Sequence, residues 1–179
     1  KIFERKFLKA DILINNAAIT KSNNLLKYNL KDWNKTIDIN LTAPFLLSKF
    51  VALNMVKNKI FGSIINITSI GAELAFPDNP AYQASKAGLQ HLTKSMAYDL
   101  SKFKIRVNNI MPGYTKTNMN KKSWNNKKKN RERAKRTLLN RWANPNELNS
   151  AIDFLIDEKS IYVNGIDLKV DGGWTIKGL

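Results

Sequence analysis

The chain has 179 residues, a hydrophobic content of 43% and a formal net charge of +16. This length suits one domain with a buried core, so we predict a single domain over residues 1–179. Cysteine is absent and histidine occurs once, which excludes a disulfide framework and argues against a metal site. No apolar run approaches the ~20 residues that span a bilayer, and residues 1–6 lack signal-peptide features. We therefore expect a soluble, cytoplasmic protein without membrane contact.

The excess of positive charge is a feature of many nucleic-acid-binding proteins. Part of it lies in a polar stretch at residues 121–136, in which Trp124 is the one aromatic residue among the lysines and arginines. A base-stacking surface would interleave more aromatic side chains with the basic ones. We interpret the charge as a solvated surface and do not expect nucleic acid as a partner.

Four short β-like runs alternate with longer helical segments along the chain. We predict strands at the following positions: residues 11–15, 63–68, 105–110 and 167–170. Such alternation is typical of βα units around a parallel sheet that is buried on both faces. The predicted fold class is therefore α/β, with three layers in the order helix, sheet, helix.

The first long helix follows the first strand. Its apolar residues recur every four positions, at Trp33, Ile37, Leu41 and Phe45, which is the spacing of one helix face. Asn40 is unusual there, because asparagine competes for backbone hydrogen bonds. Pro44 has no N–H for the carbonyl of Asn40, four residues earlier, so that carbonyl could hold a water molecule. The alternative is a simple kink that wraps the helix around the sheet.

Ser69 stands just beyond the second strand, where open α/β sheets form their ligand crevice. Its hydroxyl could hold a substrate oxygen, or it could simply end the strand in a turn. A second helix then begins near Pro80, with its apolar stripe at Leu89, Leu92, Met96 and Leu100.

Tyr82 and Lys86 lie four residues apart on this second helix, hence on one face. The spacing predicts that a phenol and an ammonium reach a common ligand. It also occurs by chance in many proteins, as a half-buried ring beside a solvated amine.

Pro112-Gly113 closes the third strand. The following polar stretch, residues 118–136, has no sustained hydrophobic period, and we predict a mobile substrate lid at residues 118–142. Pro145 and Glu147 open a short helix that runs to Leu155, before the last strand.

These motifs together resemble the short-chain dehydrogenase/reductase family over residues 11–173, in the same order along the chain. Tyr82 follows Ser69 by thirteen residues, an interval that also suits the family. The matching elements are Asn15-Asn16-Ala17-Ala18, Asn40-Leu41-Thr42, Ile67-Thr68-Ser69, Tyr82 with Lys86, Arg106-Val107-Asn108, Pro112-Gly113, Thr117 and Val170-Asp171-Gly172-Gly173. The resemblance implies a Rossmann-like, doubly wound parallel sheet.

The resemblance also implies an enzyme that uses NAD or NADP to interconvert a carbonyl and an alcohol. Tyr82 would be the general acid or base, Ser69 would orient the substrate carbonyl, and Asn40 would hold a water linked to Lys86. Lys86 would bind the nicotinamide ribose and lower the pKa of Tyr82, which is ~10 in the free amino acid. A nearby ammonium contributes ~4 kcal/mol at an effective dielectric constant of ~20, enough for up to roughly three pKa units.

The residues that match cofactor contacts of the family are Asn15, Ala17, Tyr82, Lys86, Pro112, Gly113, Thr115 and Thr117. Ala18 stands where the family usually has glycine, so the turn there must tolerate a Cβ atom. The glycine-rich turn and the first strands of the family have no match here, and the chain begins with lysine. We therefore expect the C-terminal, catalytic portion of a longer protein, which by itself binds the dinucleotide poorly.

Residues 108–119 and the closing region from Leu139 to Gly173 look most like 3-oxoacyl-[acyl-carrier-protein] reductases, whose acidic carrier protein would suit a basic surface. One alternative is a sugar or sugar-nucleotide dehydrogenase of the same family, with the lid contacting phosphate. An alternative from another class is an inactive family member that serves as a basic binding module. The family commonly forms homodimers and homotetramers through its two long helices, to which Met96 and Phe103 could contribute.

Overall fold

A four-stranded parallel sheet forms the centre of the computed structural model, which describes residues 9–177. The strands lie side by side in chain order: β1 (Ile12–Asn15), β2 (Ser63–Ile67), β3 (Arg106–Pro112) and β4 (Asp167–Val170). Each lies where the sequence predicted a strand, with ends shifted by no more than two residues. The absence of signal-peptide features was argued from residues 1–6, which lie outside the described residues.

Helices fill the three connections between strands. They are α1 (Leu30–Ile37), α2 (Ala43–Asn58), α3 (Pro80–Leu100), α4 (Lys121–Trp124), α5 (Lys127–Ala134) and α6 (Asn149–Ile156). Short 3₁₀ turns occur at Leu25–Lys27, Ile70–Ala72, Ser101–Phe103, Asn118–Asn120, Pro145–Leu148 and Glu158–Ser160. The missing hydrophobic period gave no sign of α4 and α5, because both are polar on nearly every side. The mobility of the lid stays a prediction.

Two apolar layers cover the two faces of the sheet, as the three-layer prediction required. Ile64 of β2 points to one face, where Met55 of α2 and Ala97 of α3 pack against it. The next residue, Ile65, points to the other face and packs in a cluster with Leu155 of α6. Alternate residues of a strand face opposite sides, so a strand that is apolar throughout belongs in the middle of such a sandwich.

The connection from β3 to β4 differs in handedness from the two connections before it. The connecting helices α2 and α3 lie on one face of the sheet, whereas α6, which connects β3 to β4, lies on the other. The strand order nevertheless continues in one direction, so the β3-to-β4 crossover must have the opposite hand. The predicted lid is an insertion in this crossover.

The segment Leu30–Asn58 corrects one expectation from the sequence. It forms a continuous helical stretch of 29 residues, in which α1 and α2 join through a π-helical turn, with a mean hydropathy of 1.4 in its most apolar window. By length and composition it could cross a membrane, whereas we expected no such segment. However, Val51, Ala52 and Met55 are buried against the sheet, so its apolar character is explained by packing and is weak evidence for a membrane span. The cytoplasmic location stays a prediction.

A row of hydrogen-bonded polar side chains crosses all four strands beneath α2 and α3. Asn15 Nδ2 donates to Asn66 Oδ1, and Asn66 Nδ2 donates to Thr93 Oγ1 on α3, each over 2.7 Å. Thr93 Oγ1 lies 2.7 Å from Asn109 Oδ1, and Asn109 Nδ2 donates to Asp167 Oδ1 over 2.7 Å. The four strand residues are register partners of one another. Because buried polar groups need their partners, this row opposes any shift of register.

Replacing the central hydroxyl of this row tests its contribution to stability. Thr93→Val keeps the shape of the side chain but leaves Asn66 Nδ2 and Asn109 Oδ1 without a partner. We expect the free energy of unfolding to fall by about 2–3 kcal/mol, measured by urea denaturation.

The matched control is Thr36→Val. Thr36 is also fully buried on a helix, but its hydroxyl donates only to the carbonyl of Asp32. We expect the free energy of unfolding to fall by less than about 1 kcal/mol, because the Asp32 carbonyl also accepts a backbone hydrogen bond within the helix. Equal losses in the two variants would contradict a special role for the row.

Candidate active site

Ser69 lies directly after β2, at the carboxyl end of the sheet. Its Oγ accepts a hydrogen bond from the Gly71 N–H over 3.0 Å and so caps the 3₁₀ turn Ile70–Ala72. The two interpretations of this serine are therefore compatible, because a capping hydroxyl still has its own proton to donate. That proton lies near the Tyr82 phenol, where a substrate oxygen could accept it instead.

Tyr82 returns to the same edge of the sheet because the start of α3 is tied to the segment after Ser69. Gln83 holds both backbone groups of Phe76, accepting from its N–H over 2.8 Å and donating to its carbonyl over 2.6 Å. Ser85 Oγ donates to the Tyr82 carbonyl over 2.7 Å. These contacts fix the first turn of α3, and the Ser69 hydroxyl is near enough to the Tyr82 phenol to lower its pKa.

Burial raises the pKa of Tyr82 above its ordinary value, while the hydrogen bond from Ser69 opposes this and Tyr114 adds to it. The sequence had led us to expect a pKa lowered by Lys86, and that expectation is wrong for this arrangement. Lys86 Nζ lies 5.8 Å from the centroid of the Tyr82 ring and donates to the Ile67 carbonyl over 2.7 Å. Desolvation of the phenolate is the largest cause, so the pKa of Tyr82 lies above its ordinary value of ~10 and Tyr82 holds its proton at neutral pH.

Lys86 is a buried cation, with 2% of its surface exposed. Burial lowers its pKa from 10.5 to about 8, because no carboxylate among residues 9–177 forms an ion pair with it. Of its three N–H donors, one has an acceptor, the Ile67 carbonyl. The remaining donors suit the two hydroxyls of a ribose ring, so this residue fits a nicotinamide nucleotide.

Asn40 lies in the π-helical turn Asp38–Thr42, just before Pro44. Its Oδ1 accepts from the Ile19 N–H over 2.8 Å, and its Nδ2 donates to the Ile19 carbonyl and to Ser85 Oγ, over 2.9 and 3.1 Å. The side chain therefore joins the loop after β1 to the first turn of α3. The sequence had indicated a role for the backbone carbonyl of Asn40, as a possible holder of a water molecule, and none for its side chain. Its role in holding a water stays a prediction.

The matches in the first cofactor motif differ in where their side chains lie. Asn15 is buried, and its Nδ2 donates to Ser48 and Asn66. Its amide group therefore connects β1 to α2 and to β2. Its Oδ1 has no partner among residues 9–177. Ala17 is exposed at the edge of the crevice. Ala18 does not have a positive φ, which confirms that this turn tolerates a Cβ atom.

The second cofactor segment follows β3. Pro112 ends the strand, and a Cβ atom on Gly113 would lie 2.7 Å from the Asp171 Cα, so only glycine fits beside the turn after β4. Thr115 is buried, whereas Thr117 is exposed and precedes the 3₁₀ turn Asn118–Asn120. Both threonines lie on the segment that leads from the sheet into the lid.

Four aromatic side chains form a cluster beside Tyr82 that the sequence analysis did not identify. Tyr114 is its centre, with ring centroids 4.8 Å from those of Trp142 and Trp174 and 6.2 Å from that of Phe76. We call these four residues the aromatic wall. Its members come from four separate loops. In the sequence, only their positions after strands or next to the lid could have indicated that they belong to the site.

The sequence also matches a known protein family and several of its members. A family model described as enoyl-(acyl carrier protein) reductase matches residues 1–175. The chain belongs to the short-chain dehydrogenase/reductase family. Among its relatives, a 2-dehydro-3-deoxy-D-gluconate 5-dehydrogenase from Formosa agariphila is 42% identical over 164 residues, which are 91% of this chain and 62% of that protein.

A 3-oxoacyl-[acyl-carrier-protein] reductase from Synechocystis sp. is 38% identical over 170 residues, or 94% of this chain and 66% of that protein. This member of the short-chain dehydrogenase/reductase family thus spans just under two thirds of the length of either relative.

Solved structures of short-chain dehydrogenases/reductases have the same fold. A gluconate 5-dehydrogenase from Burkholderia cenocepacia, in complex with NADP and tartrate, is 36% identical with a TM-score of 0.95, covering 99% of this chain and 69% of that one. A 4-hydroxyisoleucine dehydrogenase in complex with NADH is 37% identical with a TM-score of 0.95, covering 99% and 73%. The Rossmann-like fold predicted from the sequence is thereby confirmed.

The buried charge of Lys86 predicts how stability changes with pH. The pKa of Lys86 is lowered to about 8 in the folded chain, so between about pH 8 and 10.5 the unfolded chain binds the proton more tightly. Its destabilising contribution is complete below pH 8 and disappears as the pH rises. Relative to Lys86→Met, the wild-type free energy of unfolding should therefore increase by about 3 kcal/mol across this window, measured by urea denaturation.

The control is Lys57→Met, which removes an exposed lysine from α2. Its stability difference from the wild type should stay constant over the same pH range. A constant difference for Lys86→Met as well would refute the lowered pKa.

Proposed function

We propose that the protein is an oxidoreductase that uses NAD or NADP to interconvert a secondary alcohol and a ketone. The observation that carries this proposal is the Tyr82 phenol beside the Ser69 hydroxyl, with the buried ammonium of Lys86 behind it. When bound, the nicotinamide supplies or accepts the hydride. Lys86 would hold its ribose, and the segment with Pro112, Gly113, Thr115 and Thr117, together with Asn15 and Ala17 after β1, would line the dinucleotide.

The protein supplies the proton for this reaction. In the reductive direction, Tyr82 donates its phenolic proton to the substrate oxygen, while the Ser69 hydroxyl donates a hydrogen bond to the same oxygen. The raised pKa keeps Tyr82 protonated at neutral pH, which favours reduction there. In the oxidative direction, Tyr82 must act as a base, so the rate of alcohol oxidation should rise with pH. A water on the Asn40 carbonyl would return the proton through Lys86.

We further propose that the substrate is a hydroxy acid, such as a sugar acid. The names of three similar proteins support this, since a 2-dehydro-3-deoxy-D-gluconate dehydrogenase, a gluconate dehydrogenase and a hydroxyisoleucine dehydrogenase are all named for molecules that carry both a carboxylate and a hydroxyl group. The basic surface of this chain suits a negatively charged substrate. This class corresponds to the sugar alternative of the sequence analysis.

A second candidate is the reduction of 3-oxoacyl thioesters, which the sequence analysis put first. The 38% identity to a reductase of this kind supports it. The two candidates differ in their substrates, so comparing kcat/KM for acetoacetyl-coenzyme A and for 5-keto-D-gluconate decides between them.

Removing the Tyr82 hydroxyl tests the proposed reaction. We expect Tyr82→Phe to lower kcat by about 10²- to 10⁴-fold, because the proton donor is lost, while circular dichroism and the unfolding midpoint change little. The rate is followed as the change in NAD(P)H absorbance with a ketone substrate.

Tyr98→Phe serves as the control, because Tyr98 is 84% exposed on the same helix. This substitution should leave kcat unchanged. If Tyr82→Phe keeps full turnover, the proposal fails. If the wild type binds NAD(P)H but has no turnover with any ketone or alcohol, the inactive binding module becomes the better interpretation.

We also propose that the partner is a second copy of this chain, in a homodimer or homotetramer. The outer surface of α2 exposes apolar side chains, with Phe45 41%, Leu46 56% and Leu53 62% exposed. A groove between α2 and α3 reaches Met96, and Phe103 lies partly exposed just after α3. Apolar surface of this extent is characteristic of interfaces between protein chains.

Leu53→Glu should therefore lower the sedimentation coefficient of the protein, because it puts a charge into the interface. The matched control is Leu25→Glu, at a leucine that is 70% exposed but remote in sequence from α2 and α3. Sedimentation of the wild type as a monomer only would contradict this assembly.

A further inference from the structure

Two arginines of the lid segment stack on the aromatic wall, and neither belongs to the predicted set of site residues. Arg133 of α5 has its Cζ 4.8 Å from the ring centroid of Tyr114 and 5.9 Å from that of Trp142. Arg136, just after α5, has its Cζ 5.7 Å from the ring centroid of Trp174. The lid segment therefore brings two positive charges onto the aromatic wall.

Among residues 9–177, neither guanidinium group forms an ion pair, and besides their contacts with the rings their N–H donors have no hydrogen-bond acceptor. A guanidinium has five N–H donors in its plane, arranged to match a carboxylate with two parallel hydrogen bonds. Within the part of the chain that the structure describes, no carboxylate forms an ion pair with Arg133 or Arg136. An arginine that is stacked but lacks an anionic partner is prepared to bind one.

The position of the aromatic wall connects these arginines with the reacting centre. Both guanidinium groups lower the pKa of the Tyr114 hydroxyl, and Tyr114 raises the pKa of Tyr82, so Tyr114 is close enough to interact electrostatically with the two arginines and with Tyr82. Phe76, at the other end of the wall, is bound through its backbone to Gln83, the neighbour of Tyr82. A substrate with its reacting oxygen at Tyr82 would extend along this wall.

Four other basic residues on or next to α5 form a separate surface. Lys127, Lys128, Arg131 and Lys135 line a shallow depression together with Glu132. None of these residues stacks on a ring of the aromatic wall. The charges that face the site and the charges of this depression can therefore be changed independently.

We propose that Arg133 and Arg136 bind the carboxylate of the substrate and so determine the specificity of the enzyme for acids over uncharged alcohols. This inference rests on the proposed function and names the residues that recognise its substrate. The aromatic wall holds the two guanidinium groups in place, and the Tyr82 phenol acts on the hydroxylated carbon at the other end of the bound molecule. The same donors suit a phosphate, so the test must separate the two anions.

The experiment compares the oxidation of D-gluconate with that of D-glucitol, which has the same carbon chain without the carboxylate. In Arg133→Gln and in Arg136→Gln, the ratio of kcat/KM for D-gluconate to kcat/KM for D-glucitol should fall by about 10- to 100-fold, mainly through KM. The control Arg131→Gln removes an equal charge from the depression and should leave this ratio within about twofold of the wild type.

Four results would overturn the proposal. The ratio could stay unchanged in both site variants, or it could fall equally in Arg131→Gln, which would indicate a general effect of surface charge. Activity on both substrates could fall in parallel, which would indicate that the arginines only hold the lid. A wild-type enzyme that prefers 6-phospho-D-gluconate, with the arginine variants losing that preference, would assign the site to a phosphate.

Calorimetric titration of D-gluconate into the NADP-loaded protein separates this inference from the proposed function. Weaker binding to Arg133→Gln than to Arg131→Gln supports the carboxylate site even if no turnover occurs. Equal binding to the two variants refutes it, whatever the activity of the wild type.

Discussion

The hydrogen-bonded row from Asn15 to Asp167 is the constraint on which the rest of the structure depends. A parallel sheet buried on both faces has little in its apolar side chains to prevent one strand from slipping past the next. Here each strand contributes one polar residue to the row, and Thr93 of α3 joins two of them. A slip of one residue would leave amides without partners in the core, at a cost that apolar packing does not recover. The row thus fixes both the register and the position of α3.

The candidate site depends on that register, because its residues follow strand ends. Ser69 comes directly after β2, and Lys86 donates to the Ile67 carbonyl at the end of the same strand. Asn40 and Gln83 then hold the first turn of α3, which carries Tyr82. A phenol with a raised pKa and a lysine with a lowered one result from the same cause, their common burial. Both groups are therefore largely shielded from water.

Sequence patterns predicted the features that are formed by residues close together along the chain. The four strands, the two long helices and the assembly of Ser69, Tyr82 and Lys86 at one edge of the sheet follow from periodicity and short motifs. The patterns did not predict α4 and α5, whose stabilising contacts are caps such as Asn126 on Lys129 N–H and not an apolar face. They also misjudged the pKa of Tyr82, because the spacing of two residues on a helix contains no information on how deeply the pair is buried.

The sequence by itself determined the family, the positions of the four strands and the residues that carry the proposed proton chemistry. Only the tertiary structure decided that Asn15 serves the sheet with its amide group and that the Asn40 side chain joins the β1 loop to α3. It also decided that Arg133 and Arg136 meet an aromatic wall built from four separate loops. The physical reason is that these contacts join residues far apart along the chain, and no local pattern records which distant groups a folded sheet brings together.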